Sequence, residues 1–221
     1  MRHRRRAPTI SGTMNSRQSE KLDELRARLR KARRALTPEQ QSDAAHGLLE
    51  NLLSLHSFRS ARRVACYLPN DGEIDPGLVI DWLLEHGKTC HLPVLSHING
   101  NSLLFAPVNY GTSMGVNRYG IPEPVVPLRK LVRPKNLDLV LLPLVAFDAA
   151  GHRLGMGGGY YDRSLQMRRY RQHWLKPKLI GIAHELQKVD RLDAKSWDVP
   201  LEGIITDKQL YLVDRRVEPG S

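Results

Sequence analysis

The stretch Leu137-Asp138-Leu139-Val140-Leu141-Leu142-Pro143 decides the fold, together with its continuation through Leu144-Val145-Ala146-Phe147-Asp148 and Gly151-His152-Arg153-Leu154-Gly155-Met156-Gly157-Gly158-Gly159-Tyr160-Tyr161-Asp162-Arg163. Leu137 to Leu142 is a short, nearly continuous apolar run, the pattern of a strand buried on both faces, and is placed at the sheet centre. The second half is dense in glycine and leads into a helix expected from about Tyr160 to Arg169. Strand, glycine-rich loop and helix in that order belong to an open α/β sheet, whose ligands gather at the carboxyl ends of its strands.

Working outward, the same alternation recurs. Towards the N-terminus, Leu22, Leu25, Leu29, Ala32 and Leu36 repeat at helical spacing, with Arg26, Arg30, Lys31, Arg33 and Arg34 assigned to the opposite, solvated face. Thr37-Pro38-Glu39-Gln40 reads as a helix start with an N-cap threonine, proline in the first turn and Gln40 closing a capping box. Ala44, Ala45, Leu48, Leu49, Leu52 and Leu53 give that second helix its buried stripe. Val64 to Leu68 reads as a strand, Asp75-Pro76 opens a helix closed by Gly87, and Lys88 to Leu92 and Leu103 to Ala106 read as further strands. Residues 107–136 are rich in Pro and Gly and are read as a long loop. Leu179 to Ala183, Gly203 to Thr206 and Leu210 to Val213 complete the strand set. The expected fold is α/β: a three-layer sandwich with a central parallel or mixed sheet and helices on both faces. One such domain is expected over residues 19–215, between a disordered basic arm at 1–18 and a tail at 216–221.

Charge is distributed unevenly. Residues 1–34 hold twelve Lys and Arg against three Asp and Glu, while the rest of the chain holds 22 against 20, so the net +11 is mostly an N-terminal property. No aromatic residues interleave those arginines to stack bases, so a solvated cationic face is favoured over a nucleic-acid contact. No apolar run is long enough to span a membrane, and the basic N-terminus lacks the apolar segment of a secretory signal. Met14 is an alternative start of the chain. The two cysteines, Cys66 and Cys90, sit in apolar stretches as small buried hydrophobes, which fits a reducing cytoplasm.

The glycine loop carries the chemistry. Alternating glycines let backbone N–H groups approach a phosphate with no Cβ in the way. Arg153 adds a forked donor, and Asp162 an oxygen ligand for a hard cation such as Mg²⁺. The loop lacks the terminal Gly-Lys-Ser/Thr of a P-loop, and Tyr160 stands where a dinucleotide fingerprint needs its third glycine. Read alone, it is equally a plain glycine-rich turn. Glu73 alone is equally a helix-capping acid, Asp198 beside Pro200 reads as a turn residue, and one of Tyr160 and Tyr161 is expected to pack the helix start. The nine histidines show no metal-ligand spacing.

Arg153 to Asp162 resembles the ATP loop of the 5-formyltetrahydrofolate cyclo-ligase family, R-L-G-x-G-x-G-Y-Y-D. Pro143 to Asp148 is similar to that family's approach strand. The resemblance continues in order at Gly72-Glu73-Ile74-Asp75, Tyr119-Gly120-Ile121-Pro122-Glu123-Pro124, Ile180-Gly181-Ile182-Ala183, Trp197-Asp198-Val199-Pro200 and Ile204-Ile205-Thr206, spanning about residues 22 to 213.

The resemblance implies a cytoplasmic enzyme that converts 5-formyltetrahydrofolate to 5,10-methenyltetrahydrofolate, with ATP becoming ADP and phosphate and Mg²⁺ as cofactor. It implies ATP contacts from Leu22, Arg26, Arg153, Leu154, Gly155, Met156, Gly157, Gly158, Gly159, Tyr160 and Tyr161. Folate contacts are implied for Leu68, Glu73, Met156, Gly157, Gly158, Gly159 and Tyr160. Asp162 and Asp198 are implied as Mg²⁺ ligands, and Arg153, Tyr160 and Asp162 as the catalytic set. The chain departs from the family at Leu22, where a lysine is frequent (Lys21 stands beside it), and at Met156 and Gly158, where some relatives are basic. The partners so implied are small molecules, ATP and a reduced folate that can carry several glutamates, acting on a monomer. An RNA-binding module built on the arginine arm leaves the glycine loop and both aspartates unexplained, and a sugar-phosphate or CoA-handling enzyme on a similar sheet would not require ATP hydrolysis.

Overall fold

The computed structural model describes residues 16–96, 102–167, 176–193 and 198–213. Most of the basic arm, the stretch of the glycine-loop helix expected at 168–169, Trp197 and the C-terminal tail lie outside the described residues. The elements run α1 (Ser16–Arg34), α2 (Pro38–Ser54), α3 (His56–Ser60), β1 (Arg63–Ala65), α4 (Gly77–Glu85), β2 (Thr89–Leu95), β3 (Leu103–Val108), β4 (Met114–Val116) and β5 (Pro122–Pro124). They continue with β6 (Leu139–Pro143), β7 (Ala146–Phe147), β8 (Arg153–Leu154), α5 (Tyr160–Leu165), β9 (Lys178–Ile182), β10 (Gly203–Ile205) and β11 (Leu210–Leu212).

Seven strands form one sheet in the order β11-β10-β9-β6-β1-β2-β3. The five inner strands are parallel, and the edges β3 and β11 pair antiparallel. β6 is the fourth of seven, the central place its apolar run predicts. Its residues alternate between two cores. Leu139 and Leu141 pack with Val64, Cys66, Ile180 and Ile182 under Leu48, Leu52, Phe58, Val79 and Leu83 of α2, α3 and α4. Val140 and Leu142 pack on the other face with Ala65, Phe105, Phe147, Leu165, Leu179 and Ile204. The result is the mixed-sheet, three-layer α/β sandwich expected, its second face covered by α5 and connecting segments.

Local chemistry fixes the joints. Thr37 caps α2: its Oγ1 accepts from Gln40 N at 3.2 Å, while Gln40 Oε1 accepts from Thr37 N at 2.9 Å. Asp138 pins β1 beside β6 by accepting from the Arg62 and Arg63 amides, each at 2.9 Å, and from Lys176 Nζ at 2.6 Å.

Three expectations are corrected. On α1, Ala32 is exposed and Arg33 is fully buried, the reverse of the assignment made from the leucine pattern. Arg33 comes four residues after Leu29, so it lies on the same inward face, and the carboxylates it meets there are not visible in a helical pattern. Residues 107–136 are not a structureless loop: β4 and β5 pair as a hairpin, succeeded by 3-10 turns at Leu128–Lys130 and Pro134–Asn136. Strands of three residues, one of them bounded by prolines, leave almost no period-2 signal. Residues 16–18, assigned to the arm, are the first turn of α1.

Candidate active site

The chain leaves β1 towards β2 on one side of the sheet and leaves β6 towards β9 on the other. The switch point of the topology therefore lies between β1 and β6, and a crevice is expected outside their carboxyl ends. A cavity of about 1090 Å³ opens there. Tyr67, Leu68, Asn70 and Glu73 line it after β1, Leu142 to Leu144 at the end of β6, and the glycine loop along one side. Its volume is at the upper end of what single small ligands occupy.

The glycine loop is held lightly. Arg26 of α1 donates from Nε to the Gly155 carbonyl at 2.9 Å and pairs with Asp23 at 2.5 Å. Arg163 donates to the Gly158 carbonyl. Gly157 and Gly159 have φ of 95° and 63°, backbone that glycine adopts without strain. A Cβ built on Gly155 would meet nothing within 4 Å. At Gly155 and Gly157 the backbone thus presents open space to the cavity, the feature a phosphate-binding loop needs, whereas the Tyr160 and Arg163 side chains stand against Gly158 and Gly159.

Arg153 and Asp162 meet. The Arg153 guanidinium is 7% exposed and donates to Asp162 Oδ1 and to the Val199 carbonyl. Val199 N is 3.4 Å from the same Asp162 oxygen. Arg153 therefore spends its fork on orienting Asp162 and the 198–200 segment, where the sequence pattern had suggested a phosphate contact. Asp162 and Asp198 both line the cavity. Among the described residues there is no group of three or more His, Cys, Asp or Glu side chains arranged for a metal. Two hard carboxylates beside an open glycine loop still fit Mg²⁺, which takes one or two protein carboxylates and completes its shell from phosphates and water.

Elsewhere on the cavity wall, Glu73 is largely buried. Its Oε2 accepts from Asn70 N at 3.2 Å, and Arg33 NH2 lies 3.6 Å from Oε1. Burial raises its pKa to about 7, against the pull of Arg33. The nearby Asp71 carries three guanidiniums: Arg30 at 2.5 Å, Arg34 at 3.0 Å and Arg33 at 3.1 Å. Burial alone would raise its pKa, but Arg30 and Arg33 outweigh that and hold it below the usual carboxylate range.

Two tyrosines divide the tasks expected of them. The Tyr160 hydroxyl meets Tyr119 and Arg118 at the tip of the β4–β5 hairpin, and the Tyr119 and Tyr160 rings stand edge to face at 5.9 Å. Those hydrogen bonds, Tyr119's first, hold the Tyr160 phenol below its ordinary pKa. The Tyr161 hydroxyl is buried with no hydrogen-bond partner among the described residues, and burial raises its pKa. Tyr67 is buried too and donates to the Ile74 carbonyl at 2.7 Å.

Of the residues expected at the site, Leu68, Glu73, Arg26, Asp198 and the whole run from Arg153 to Asp162 line this one cavity. Leu22 does not. It packs with Leu25 on Leu29, Val145, Ala146, Leu154 and Leu192, and α1 turns Ser19, Asp23 and Arg26 to the cavity instead. Sequence reasoning missed Arg33, Asp71, Arg118 and Tyr67. Only Arg33 had a signal, its place four residues after Leu29.

A sequence profile described as the 5-formyltetrahydrofolate cyclo-ligase family matches residues 18–207. The chain is 38% identical over 183 residues to the 5-formyltetrahydrofolate cyclo-ligase of Escherichia coli K12, covering 83% of this chain and 98% of the relative. The Haemophilus influenzae protein of the same name is 38% identical over 189 residues, covering 85% and 98%. Among solved structures, the 5,10-methenyltetrahydrofolate synthetase of Aquifex aeolicus superposes with a TM-score of 0.74 at 32% identity, covering 90% of this chain and 96% of its own. Matches of this identity and coverage, on a chain whose glycine loop and acids converge on one cavity, show that this protein belongs to the 5-formyltetrahydrofolate cyclo-ligase family.

Proposed function

We propose that this protein converts 5-formyltetrahydrofolate to 5,10-methenyltetrahydrofolate at the expense of ATP, with Mg²⁺. The observation that carries the reading is one cavity at the sheet's switch point, lined on one side by an open glycine loop and on another by a buried carboxylate, Glu73. The first suits a polyphosphate, the second a flat ring rich in N–H donors.

A formyl oxygen is a poor leaving group, so direct ring closure at the formyl carbon is slow. Transfer of the γ-phosphoryl group to that oxygen breaks the terminal P–O bond of ATP and releases ADP. N10 then attacks the activated carbon and gives up its proton to water, and phosphate departs with the former formyl oxygen. The protein's work is to hold two anions in line and to meet the charge that develops between them. Backbone amides of Gly155 to Gly159 would cradle the phosphates, with Arg26 fixing the loop through the Gly155 carbonyl. Arg153 would keep Asp162 aimed at the cavity, and Asp162 and Asp198 would hold Mg²⁺, which when bound neutralises phosphate charge. Glu73 would accept from ring N–H donors, and Leu68 would pack beside it. Tyr160 would close over the reacting groups from the helix start.

Two further expectations belong to this reading. No helix among the described residues is long and apolar enough to cross a membrane, and the buried free thiols Cys66 and Cys90 fit a reducing cytoplasm. A monomer suffices, since every proposed contact comes from one chain. The test is spectrophotometric: purified protein with 5-formyltetrahydrofolate and Mg²⁺ should form the methenyl product only when ATP is added, with one ADP per product. Substrate left untouched at saturating Mg-ATP would sink the proposal.

A further inference from the structure

Arg33 is the largest fully buried side chain, and it does not line the cavity. Its guanidinium nevertheless ties the cavity's walls together. Nε donates to the Asp71 carbonyl at 2.8 Å, NH2 to Asp71 Oδ2 at 3.1 Å, and NH1 to the Leu144 carbonyl, just past β6, at 3.3 Å. NH2 also lies 3.6 Å from Glu73 Oε1 and 4.0 Å from the Met156 sulfur of the glycine loop.

A buried cation is costly unless paired. Asp71 is one negative charge already shared with Arg30 and Arg34. Part of the Arg33 charge is therefore left for the carboxylate beside it, Glu73. We propose that Arg33 is a positioning residue for Glu73, holding that carboxylate aimed into the cavity and offsetting the cost of burying its charge, so that substrate affinity depends on it more than the chemical step does. The proposal rests on Glu73 being the acceptor for ring N–H donors.

Glu73 is faced by Asp71 on its own turn, by Arg30 and Arg33 from α1, by Tyr67 after β1 and by Tyr161 from α5. Burial and Asp71 push its proton affinity up. Arg33, the Asn70 amide and Arg30 pull it down, Arg33 most. Burial already outweighs these groups with the guanidinium present; without it nothing comparable opposes burial, and Glu73 holds its proton further above neutral pH. A neutral carboxyl offers an O–H where the ligand needs an acceptor.

The experiment compares the full-length wild type with Arg33→Met, Arg33→Lys, Glu73→Gln and the double variant Arg33→Met/Glu73→Gln. The Glu73 carboxyl is titrated by carbon-13 NMR, assigned by its loss in Glu73→Gln. In parallel, KM for 5-formyltetrahydrofolate and kcat are measured against pH. In the wild type KM should fall as pH rises through about 7, the pKa of Glu73. In Arg33→Met both the NMR midpoint and the KM inflection should move up by about one pH unit or more, raising KM near neutrality by about tenfold, with kcat at saturation little changed. Arg33→Lys should return part of the affinity. Adding Arg33→Met to Glu73→Gln should cost little further, because the residue acted through is gone.

An unmoved Glu73 midpoint in Arg33→Met overturns the proposal, as does an equal KM cost in the Glu73→Gln background. If Arg33→Met does not fold, Arg33→Lys carries the same test: its KM cost must vanish in the Glu73→Gln background, and its persistence there overturns the idea. If the wild type does not cyclise the folate, the functional reading fails separately, and the NMR titration still decides whether Arg33 governs Glu73.

Discussion

The glycine loop at 155–159 and the turn at 70–73 both border the cavity, and they are held by opposite means. The loop is tethered by two arginine contacts to its carbonyls, from Arg26 and Arg163, and its glycine at 155 looks onto open space. The turn is clamped. Asp71 adopts φ 55°, the one non-glycine residue with positive φ among those described, under three guanidiniums. Gly72 comes next at φ 75° with the Arg33 and Arg34 backbone against it. On the function proposed above, a site for a flexible polyphosphate and a flat, rigid ring has reason to differ in this way. Backbone that must wrap a ligand is left unfilled, while a single carboxylate that must meet a ring edge is fixed before the ring arrives.

The largest expected effect tests what lies between the two. Asp162→Asn keeps the side chain's size but removes the charge that Arg153 orients, and should lower kcat by roughly 10²–10³-fold. Its melting temperature should fall as well, because the nearly buried Arg153 loses its counter-ion, so turnover is compared at a temperature where the variant remains folded. Normal turnover in this variant would remove Asp162 from the mechanism and leave the glycine loop a structural turn. Next comes Gly72→Ala. Its Cβ would sit 3.0 Å from Arg33 and Arg34 backbone atoms, at a φ that disfavours alanine. A loss of roughly 2–4 kcal/mol is expected, or a fall in Tm of roughly 5–15 °C. A variant melting with the wild type would mean that the clamp is softer than its contacts imply.

Legibility in the sequence divides the same two regions. The glycine loop's place on the cavity was readable because it is written in residue type: glycines, a basic residue and an aspartate in one run after the central strand. β6 was readable because burial on both faces demands an unbroken apolar string. The Thr37 cap was readable because its chemistry is local. The clamp was not, because Arg33 and Asp71 are 38 residues apart in sequence, and an arginine on a cationic helix looks solvated until its partners are known. Leu22 shows the converse case. Its position matched a ligand-binding place in the family, yet a leucine there finds apolar company in Leu154 and Val145.

The two acids of the clamped turn respond to pH in opposite senses. Asp71 is held below its ordinary pKa, so its contribution to stability is present above the unfolded value near 4 and is lost as pH falls through the lower folded value. Glu73 is raised from 4.5 to about 7. The folded state then binds the extra proton, and stability declines as pH rises from about 4.5 to about 7. Asp71→Asn should therefore cost roughly 1–2 kcal/mol at neutral pH and much less near pH 3. Glu73→Gln should flatten the decline between pH 5 and 7. Denaturant midpoints measured across this range decide both, and identical slopes in wild type and Glu73→Gln would show that Glu73 is not titrating there.

Gly157→Ala should give the smallest change in stability and the most informative contrast with Gly72→Ala. Both positions have positive φ, 95° and 75°, so both carry a conformational cost of about 1 kcal/mol or more for alanine. They differ in surroundings: a Cβ at Gly157 has only the Arg26 guanidinium carbon at 3.9 Å, whereas one at Gly72 meets packed backbone. The fold should therefore tolerate Gly157→Ala with a loss near that backbone cost alone. The methyl group does, however, stand beside the backbone a phosphate must approach, so KM for ATP should rise by about tenfold, and by more than KM for the folate, which the same loop is expected to touch. A variant that loses folate affinity with KM for ATP unchanged would place the ring alone, and not the phosphates, against the glycine loop, and the division of labour between the two walls would have to be reversed.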